Sequence, residues 1–380
     1  MNVIETKTKN YHDIVVVGGG IAGICAAVSA AREGRSVLLL EKSVNLGGLA
    51  TIGLISWYEP LCDGCGNQVI TGMAEELIRL AVSCGFDNLP ECWGGKSGNT
   101  SHNRYSTLYS PCFFSMGLDQ FVLKNGVELL FDTLATYPVM DGKHCNGVIV
   151  ENANGREFYP ANVVIDATGD ASILHRAGVP TKVGTNFMSY IVHEMDYSSA
   201  QDYSTNHDLA RFRRWKNCGS DLEGNGHPKG LKLFHGVSAE EITEYMILGK
   251  QRMLKNYEGT DKNSREIMML PSMPQLRTIR HLCGEGAFST SAPLESVKNP
   301  IGIVGDFRYA GKRYAIPYSA LYHPEFDNLL AAGRIINVAD ADSWEVARVI
   351  PVCALTGEMA GKAAAKLFDK QKAIEKESSC

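Results

Sequence analysis

The sequence predicts an α/β protein with a parallel-sheet core and an inserted α+β region, and three observations carry this prediction. First, a β-branched run at residues 14–17 meets three consecutive glycines and continues into a helix rich in small residues. Second, apolar runs that end in glycine recur at residues 163–169 and 328–333. Third, Asp-Gly and Asn-Gly turns within residues 141–155 separate short apolar runs, which is typical of antiparallel strands. Strands that alternate with helices favour a parallel sheet.

The first strand and its turn have the sequence VVVGGGIAGICAA at residues 15–27. Gly18, Gly20 and Gly23 form the pattern G-x-G-x-x-G. In this pattern the first glycine makes a tight turn, the second lets the backbone approach a pyrophosphate, and the third lets the helix pack on the strand. Ile21 and Ala22 begin the helix, whose free N–H groups and positive dipole end favour phosphate. We therefore predict a dinucleotide at this turn.

The next strand brings an acidic residue to the same turn. Gly34 is suited to end the helix near Glu33, and a strand at residues 36–40 ends in Glu41. Glu41 lies 23 residues after Gly18, close to the spacing of the acid that binds a ribose hydroxyl. Its charge would repel a 2′-phosphate, so we expect no NADP here. The predicted cofactor-binding residues include Glu41 and the following Lys42.

A second glycine turn, LGGLAT at residues 46–51, follows the acid closely. A simple NAD dehydrogenase has no need for such a turn. FAD is longer and must be held further along, from its pyrophosphate to its isoalloxazine ring. The turn therefore favours FAD, with predicted contacts from Gly48, Leu49, Ala50 and Thr51.

The run GGGIAGICAAVSAAREGRSVLLLEKSVNLGGLAT resembles the N-terminus of the FAD-dependent oxidoreductase family, a group with the glutathione-reductase-like flavin fold that includes proteins similar to heterodisulfide reductase. Three later segments share the resemblance: VVIDATGDASI at 163–173, NLLAAGR at 328–334 and ARVIPVCALTGEMAGKAAAKLF at 347–368. The resemblance implies that all four segments surround one FAD. It adds these residues to the predicted cofactor-binding set: Ala167, Thr168, Gly169, Gly333, Arg334, Arg348 and Val352.

The resemblance also implies a role for each later segment. The turn at 167–169 lies near the nucleotide half of FAD, and Gly333 lies by the pyrophosphate and ribityl chain. Many relatives carry an acid after this glycine, whereas here Arg334 is placed to pair with phosphate directly. The start of the last helix faces the flavin pyrimidine ring, where its dipole would stabilise negative charge.

As for domains, the resemblance implies a Rossmann-like FAD-binding domain, glutathione-reductase-like and discontinuous, with an inserted α+β substrate or cap domain. We assign residues 1–58, 125–185 and 300–380 to the first, and 59–124 and 186–299 to the second. The predicted antiparallel meander consists of Val127–Phe131, Gly147–Val150 and Phe158–Tyr159. Residues 240–255 predict an amphipathic helix. The sequence holds no second strand–G-x-G-x-x-G–helix unit, so we expect no built-in nicotinamide domain.

The segment QLRTIRHLCGEG supplies candidate catalytic residues. Arg277 and Arg280 resemble a paired-arginine segment of the family, and arginines can hold a carboxylate or another anion. Salt bridges at a surface or between domains are the alternative. His281 is the preferred proton donor or acceptor, because the pKa range of histidine suits that role. The rival histidines have no favourable spacing: His193, His235 and His323.

Two further catalytic candidates flank the predicted flavin. Arg348 stands where the last helix starts, so it can donate to anionic flavin or substrate. Tyr58, in the run Ser56-Trp57-Tyr58, follows the flavin turn, with core packing as the alternative. Other polar or aromatic residues are expected nearby: Asp63, Tyr314, Tyr318, Asp342, Ser343 and Glu345.

The motif CDGC, Cys62 to Cys65, suggests a redox dithiol. Its flanking glycines indicate a loop rather than the helix N-terminus that lowers a thiol pKa, so two ordinary loop cysteines are the alternative. No second C-x-x-C is present, and we expect no metal or iron–sulfur cluster. The 11 scattered cysteines indicate a reducing compartment.

Composition narrows the partners and the location. The chain has 42 acidic and 37 basic residues without a basic block, which argues against a nucleic-acid partner. The polar start predicts no secretory signal, and the glycines within 14–31 argue against a membrane span there. We therefore expect a cytoplasmic protein that acts on a small molecule, with an unknown electron donor or acceptor. A homo-oligomer is one possibility.

These observations lead to one main functional hypothesis. The protein would be an FAD-dependent oxidoreductase that transfers a hydride between flavin N5 and a small organic substrate, by dehydrogenation or by double-bond reduction. One alternative is a thiol–disulfide or electron-transfer flavoprotein that uses Cys62 and Cys65. Another is a non-catalytic FAD-binding protein.

Overall fold

The computed structural model describes residues 5–86, 89 and 107–378. The elements of the first half, in chain order, are β1 (Lys7–Thr8), β2 (His12–Val17), α1 (Ile21–Arg32), β3 (Val37–Leu40), β4 (Trp57–Tyr58), α2 (Met73–Ser83), β5 (Thr107–Leu108), α3 (Pro111–Lys124), β6 (Glu128–Leu130), β7 (Leu134–Asp141), β8 (His144–Asn152), β9 (Gly155–Asp166) and α4 (Ser172–Arg176). Those of the second half are β10 (Thr181–Val183), β11 (Ile191–Asp196), α5 (Tyr197–Asn206), α6 (Leu209–Phe212), β12 (Arg214–Asn217), α7 (Ala239–Asn256), β13 (Arg265–Met269), β14 (Arg280–Leu282), β15 (Pro300–Gly305), β16 (Arg313–Pro317), β17 (Leu329–Ala331), α8 (Ala341–Ala347) and α9 (Ile350–Ser378). Together they confirm the predicted α/β class.

A parallel sheet runs in the order β6-β3-β2-β9, and β17 pairs with the end of β9. Val17 lies opposite Leu40 on one side and Asp166 on the other, and Asp166 lies opposite Ala331. Strands β2, β3 and β17 and the end of β9 are buried and rich in Val, Ile and Leu, as a sheet covered on both faces requires, whereas β6 at its outer side is partly exposed. The residues that follow these strand ends leave the sheet at one edge: Gly18, Glu41, Ala167 and Ala332.

Strand β9 belongs to two arrangements at once. Its end is parallel to β2, while its start pairs antiparallel with β8, which pairs with β7. The predicted meander therefore exists, but the assignment of Val127–Phe131 to it is wrong. That run forms β6, where Leu129 lies opposite Leu39 of β3 at the outer side of the parallel sheet. An isolated strand pattern does not specify its partner, so only long-range pairing separates the two placements.

Helix α9 covers the sheet and packs tightly along α1. A Cβ atom on Gly357 would lie 2.1 Å from the carbonyl oxygen of Ala22, and one on Gly361 would lie 2.3 Å from that of Ala26. The small residues of both helices are therefore required for this close approach. Helix α1 ends as predicted, with Gly34 at φ +79° after it. Within the described ranges, no helix is both long enough and apolar enough to cross a bilayer.

The buried apolar residues form two clusters. The larger contains the sheet with α1 and α9, and it also contains Leu77 of α2 and Phe114 of α3. The sequence instead grouped residues 59–124 with the cap. The smaller cluster gathers side chains between residues 188 and 279 around Tyr190 and Tyr245. Helix α7 contributes to it and matches the predicted amphipathic helix at 240–255.

Candidate active site

The first glycine turn combines two tight contacts with one open position. A Cβ atom on Gly18, at φ +103°, would lie 2.6 Å from the carbonyl oxygen of Ala167. One on Gly23 would lie 1.8 Å from the carbonyl oxygen of Gly18. One on Gly20 would meet no described atom within 4 Å. The structure therefore leaves no room for a side chain at Gly18 or Gly23. It leaves open space beside Gly20, as the approach of a pyrophosphate requires.

The N-terminus of α1 is available to such a ligand. Its first intrahelical hydrogen bond runs from Ile24 N to Gly20 O over 3.0 Å. Among the described residues, no side chain caps the helix, and none in its first turn is acidic. The N–H groups of Ile21 and Ala22 thus point from an uncapped helix end toward the open side of Gly20. These features fit the phosphates of a dinucleotide.

Glu41 lies beside this turn with its carboxylate fixed by the backbone. It accepts hydrogen bonds from Gly19 N at 2.7 Å and from Ser43 N at 2.8 Å, one on each oxygen. A carboxylate has about four lone-pair positions, so both oxygens can accept further bonds from ribose hydroxyls. Lys42, which follows, is exposed. The geometry suits the predicted ribose contact of Glu41.

The second glycine turn lies directly against the first. Gly47 N donates to Gly19 O over 2.8 Å, and a Cβ on Gly48 would lie 3.4 Å from the Cα of Gly20. Residues 48–50 form one 3-10 turn, which Thr51 braces by donating its hydroxyl to Leu46 O over 2.5 Å. The structure therefore brings the predicted residues Gly48, Leu49, Ala50 and Thr51 next to the first turn.

The third turn, Ala167 to Gly169, is held by a buried acid. Asp166 accepts hydrogen bonds from the backbone and hydroxyl of Thr168 and from the backbone N–H groups of Ile173 and Leu174. Burial raises the pKa of Asp166 to about 6, although these hydrogen bonds favour the ionised form. The acid thus fixes the turn rather than facing a ligand.

Arg334 joins the third turn to the last one. Its Nε donates to Gly169 O over 2.8 Å. Gly333, at φ +80°, leaves no room for a side chain, because a Cβ there would lie 2.7 Å from the Cβ of Ala22. Its N–H donates to the Thr356 hydroxyl of α9 over 3.0 Å. Burial lowers the pKa of Arg334, which leaves its guanidinium in need of an anionic partner.

The start of α9 completes this group of turns. Val352 is fully buried in the first turn of the helix. Its side chain is apolar, so only its backbone N–H and C=O groups are placed to serve a cofactor. Arg348 precedes the helix and pairs with Glu345. The Nε of Arg348 is buried and has no hydrogen-bond partner among the described residues.

A cavity of about 510 Å³ opens beside this junction. Its walls come from β10 and the segment after it, the segment that ends in β14, and helix α8. Of the predicted catalytic residues it contains Arg277, His281 and Arg348. The residues that the sequence analysis missed here are Lys182, Arg308 and Trp344.

Trp344 connects the cavity wall to the last glycine turn. Its indole Nε1 donates to Arg334 O over 2.6 Å, while its ring meets His281 edge to face, with centroids 4.5 Å apart. A Trp directly before Glu345 in DADSWEVAR was visible, but nothing in the sequence showed which way its ring would face.

His281 is buried and held in one orientation. Its Nδ1 lies 2.6 Å from Leu282 O, which only accepts, so Nδ1 carries the proton and Nε2 the lone pair. Burial lowers the pKa of His281, and the charge of Lys182 acts in the same direction. The ring is therefore neutral near pH 7 and suited to accept a proton.

Two predicted catalytic residues lie elsewhere. Arg280 precedes His281 in β14 and points to the other face of the strand, where its Nη1 donates to Asp170 O over 3.0 Å. Tyr58 is fully buried, and its hydroxyl donates to Ala74 O over 2.5 Å. The structure thus places Arg280 at the third glycine turn and Tyr58 in the core, neither of them in the cavity wall.

Several of the remaining candidates lie outside the cavity wall. Cys62 is fully buried and Cys65 is exposed, on a loop that Asp63 organises by accepting from Cys65 N and Asn67 N. The hydroxyl of Tyr314 donates to Asp306. His193 is buried, with Nε2 3.2 Å from Leu54 O. None of the two cysteines and His193 lines the cavity just described.

An uncapped helix end, glycine turns that meet at one sheet edge and an adjoining cavity define a dinucleotide-dependent oxidoreductase of the Rossmann-type flavoprotein class. Consistent with this, residues 13–262 and 293–376 match the family model described as FAD dependent oxidoreductase. The chain belongs to that family, and FAD is its cofactor. The predicted family and cofactor are thereby confirmed.

Curated relatives match parts of the chain. A digeranylgeranylglycerophospholipid reductase of Methanoculleus marisnigri is 24% identical over 216 residues, which cover 53% of this chain and 51% of the relative. An NADH:acrylate oxidoreductase of Vibrio harveyi is 32% identical over 133 residues, covering 33% of this chain and 12% of the relative. The chain thus spans about half the length of the first relative and much less of the second.

Among solved structures, E. coli quinol fumarate reductase FrdA superposes with a TM-score of 0.50 at 13% identity. The match covers 98% of this chain and 74% of that one. At this identity the likeness shows the fold alone. It confirms the predicted fold class.

Proposed function

We propose that this enzyme transfers a hydride between FAD and a small organic substrate held in the cavity beside α8. One observation carries the proposal: Trp344 forms the cavity wall and also bonds to Arg334 of the last glycine turn. A single side chain therefore joins the substrate cavity to the residues that fit FAD. When bound, FAD supplies the group that accepts or delivers the hydride, at N5.

The residues of the cavity divide the remaining work. Arg277 and Arg348 are placed to bind and orient the substrate. His281, with Nδ1 fixed by Leu282 O, is placed to accept or return a proton at Nε2. The rings of Trp344 and His281 pack edge to face and form one part of the cavity wall.

The reaction class is supported by the names of several relatives. They include an NADH:acrylate oxidoreductase, an NADH:fumarate oxidoreductase and a cinnamate reductase. Acrylate, fumarate and cinnamate each contain a carbon–carbon double bond. We therefore propose double-bond reduction or the reverse dehydrogenation as the chemistry of the cavity.

The first experiment is a visible absorption spectrum of the purified protein, followed by anaerobic titration with NADH, NADPH and dithionite. We expect flavin absorption bands that are bleached by a reductant or by the saturated form of the substrate, and that are restored by the unsaturated form. A flavin that binds but is bleached by dithionite alone would point to a substrate dehydrogenase or a carrier-linked enzyme. A protein that takes up FAD but never exchanges electrons with any small organic substrate would contradict the proposal.

The catalytic roles are then tested in the cavity. His281→Gln keeps the size and a hydrogen-bonding group but cannot carry the proton. We expect it to lower turnover by about 100-fold or more while flavin content stays normal. His207→Gln, which changes an exposed histidine at the end of α5 outside the cavity wall, is the matched control.

A further inference from the structure

Four lysine or arginine side chains line the cavity: Lys182 is exposed to solvent, and the three arginines differ in how their charge is balanced. Arg308 donates to both oxygens of Asp306 and also bonds to Asp342 at 2.6 Å. Asp306 is fully buried, and Asp342 also accepts from the Thr290 hydroxyl over 2.7 Å. Arg308 is therefore neutralised by two carboxylates and serves as part of the wall.

Arg348 is balanced by one acid. Its guanidinium pairs with Glu345 three residues earlier, at the end of α8. Its buried Nε lacks a hydrogen-bond partner among the described residues. An incoming anion would have to compete with Glu345 for this arginine.

Arg277 has no bonded carboxylate among the described residues, and Glu345, the partner of Arg348, acts on it only from a distance. Within the part of the chain that the structure describes, its guanidinium forms no ion pair, although the side chain is half-buried in the cavity wall. Burial, with a contribution from the neighbouring charge of Arg348, lowers the pKa of Arg277 to about 10, while the charge of Glu345 acts in the opposite direction. The group therefore remains a cation at neutral pH. A desolvated charge without a bonded partner is energetically costly, so we expect Arg277 to pair with an anion when a ligand is bound.

The backbone at Arg277 is also fixed in advance. Asn186 accepts from Arg277 N at 2.7 Å and from Thr278 N at 3.0 Å, while its amide donates to Thr278 O at 2.8 Å. The side-chain amide of Asn186 therefore holds the backbone of Arg277 in one position. Because its backbone is fixed, Arg277 is preorganised and loses less conformational entropy on binding a ligand than a mobile surface side chain does.

We propose that the cavity selects an organic monoanion, such as a monocarboxylate, through Arg277, and rejects dianions of similar size. This inference rests on the proposed function for the identity of the cavity as the substrate site. The selectivity follows from the charges: one arginine has no bonded carboxylate among the described residues, while a second anionic group would meet the acids of the same wall, Asp221, Asp340, Asp342 and Glu345. Arg277 is thus the specificity-determining residue.

The test uses the FAD-loaded protein and three unreactive probes of similar shape: benzoate with one charge, benzamide with none, and terephthalate with two. Propionate and propionamide form a smaller pair. Binding is measured by calorimetry and by the change of the flavin spectrum. We expect each monocarboxylate to bind about 10- to 100-fold more tightly than its amide, as a lost charged hydrogen bond implies. Terephthalate should bind more weakly than benzoate.

The variants separate the proposal from its rivals. Arg277→Gln should abolish the preference for the monocarboxylate over the amide, and Arg277→Lys should keep part of it. Glu345→Gln should improve terephthalate binding, because it removes an acid and frees Arg348. Arg211→Gln, which changes an exposed arginine of α6, is the matched control and should change nothing.

Each contrary result has a distinct meaning. The proposal would be overturned if Arg277→Gln preferred benzoate and propionate over their amides as strongly as wild type does. It would also be overturned if neither monocarboxylate bound to the wild-type protein. An Arg277→Gln protein that loses FAD but keeps its anion preference would show that Arg277 serves the cofactor instead, which also overturns it. A wild-type protein that takes up no FAD at all would contradict the proposed function itself.

Discussion

The indole Nε1 of Trp344 donates to the carbonyl oxygen of Arg334 over 2.6 Å, and this bond joins the two halves of the candidate site. On one side of it lie the glycine turns that fit FAD. On the other lies the cavity, where the same ring packs against His281. Under the proposed function, the relative position of cofactor and substrate therefore depends on a side chain that itself performs no chemistry.

The first prediction concerns this bond. Trp344→Phe keeps an aromatic ring but leaves Arg334 O without its donor. We expect a loss of about 1–3 kcal/mol in the free energy of unfolding, because a partly buried carbonyl loses its partner. Chemical denaturation of the cofactor-free protein measures it. Tyr137→Phe, on an exposed tyrosine of β7, is the control, and an equal effect of both changes would contradict the role given to Trp344.

The second prediction concerns two glycines of the first turn: Gly20, which faces open space where FAD would bind, and Gly23, which packs closely against the backbone. Gly20 has ordinary backbone angles, φ −70° and ψ 176°, and an open side. Gly20→Val should therefore fold normally but fail to hold FAD. Gly23→Ala should instead destabilise the fold, because its Cβ would lie 1.8 Å from Gly18 O.

Flavin content and thermal unfolding of both variants decide this prediction. Normal FAD binding by Gly20→Val would show that the pyrophosphate lies elsewhere. A fully stable Gly23→Ala would show that the turn has room that the structure does not leave. The two variants thus control for each other.

The third prediction is a dependence of stability on pH. Burial, with a contribution from the charge of Arg213, lowers the pKa of His193 from 6.5 to about 3. Below pH 6.5 the unfolded chain therefore binds a proton at this residue that the folded chain does not. Stability from this group is complete above pH 6.5 and falls on acidification, by up to about 1.4 kcal/mol per pH unit.

Urea unfolding at several pH values tests it. His193→Gln can keep the bond to Leu54 O but does not titrate, so its stability should fall less steeply with acid than that of wild type. Other groups contribute equally to both proteins and cancel in the comparison. Identical slopes would mean that His193 is protonated as readily in the folded state as in the unfolded chain, which would contradict its lowered pKa.

The fourth prediction concerns the cysteines. Cys62 is buried in the larger core and Cys65 is exposed, on a loop outside the cavity wall. The double variant Cys62→Ser, Cys65→Ser should therefore keep its turnover with a small organic substrate, with some loss of stability from the buried hydroxyl. Cys65→Ser alone should be neutral in both respects. Loss of turnover in the single variant would revive the dithiol hypothesis.

Some features could be predicted because they depend on local backbone chemistry. The positive φ of Gly18 and the close contact at Gly23 each require glycine, so the pattern was visible as residue types. The end of α1 before Gly34 follows from the same freedom. The place of Glu41 follows from the length of one strand–helix–strand unit, which brings its strand end beside the glycine turn.

Other features could not be predicted because they depend on which face of an element packs where. Arg280 and His281 are neighbours in sequence, yet the alternation of β14 sends one to Asp170 and the other to the cavity. The arginine that lies near Arg277 in the cavity wall is Arg348, 71 residues away in sequence, and not Arg280. Tyr58 is in the core because α2 packs over it.

The sequence by itself determined the class of fold, the FAD cofactor and the turns that fit it, since each rests on residues close together in the chain. Only the tertiary structure decided which charged groups share a cavity, which of them are already paired, and that Trp344 links this cavity to the cofactor turns. The physical reason is that charge balance and side-chain direction arise from contacts between distant segments. Those contacts exist only once the sheet, α8 and β14 have packed together.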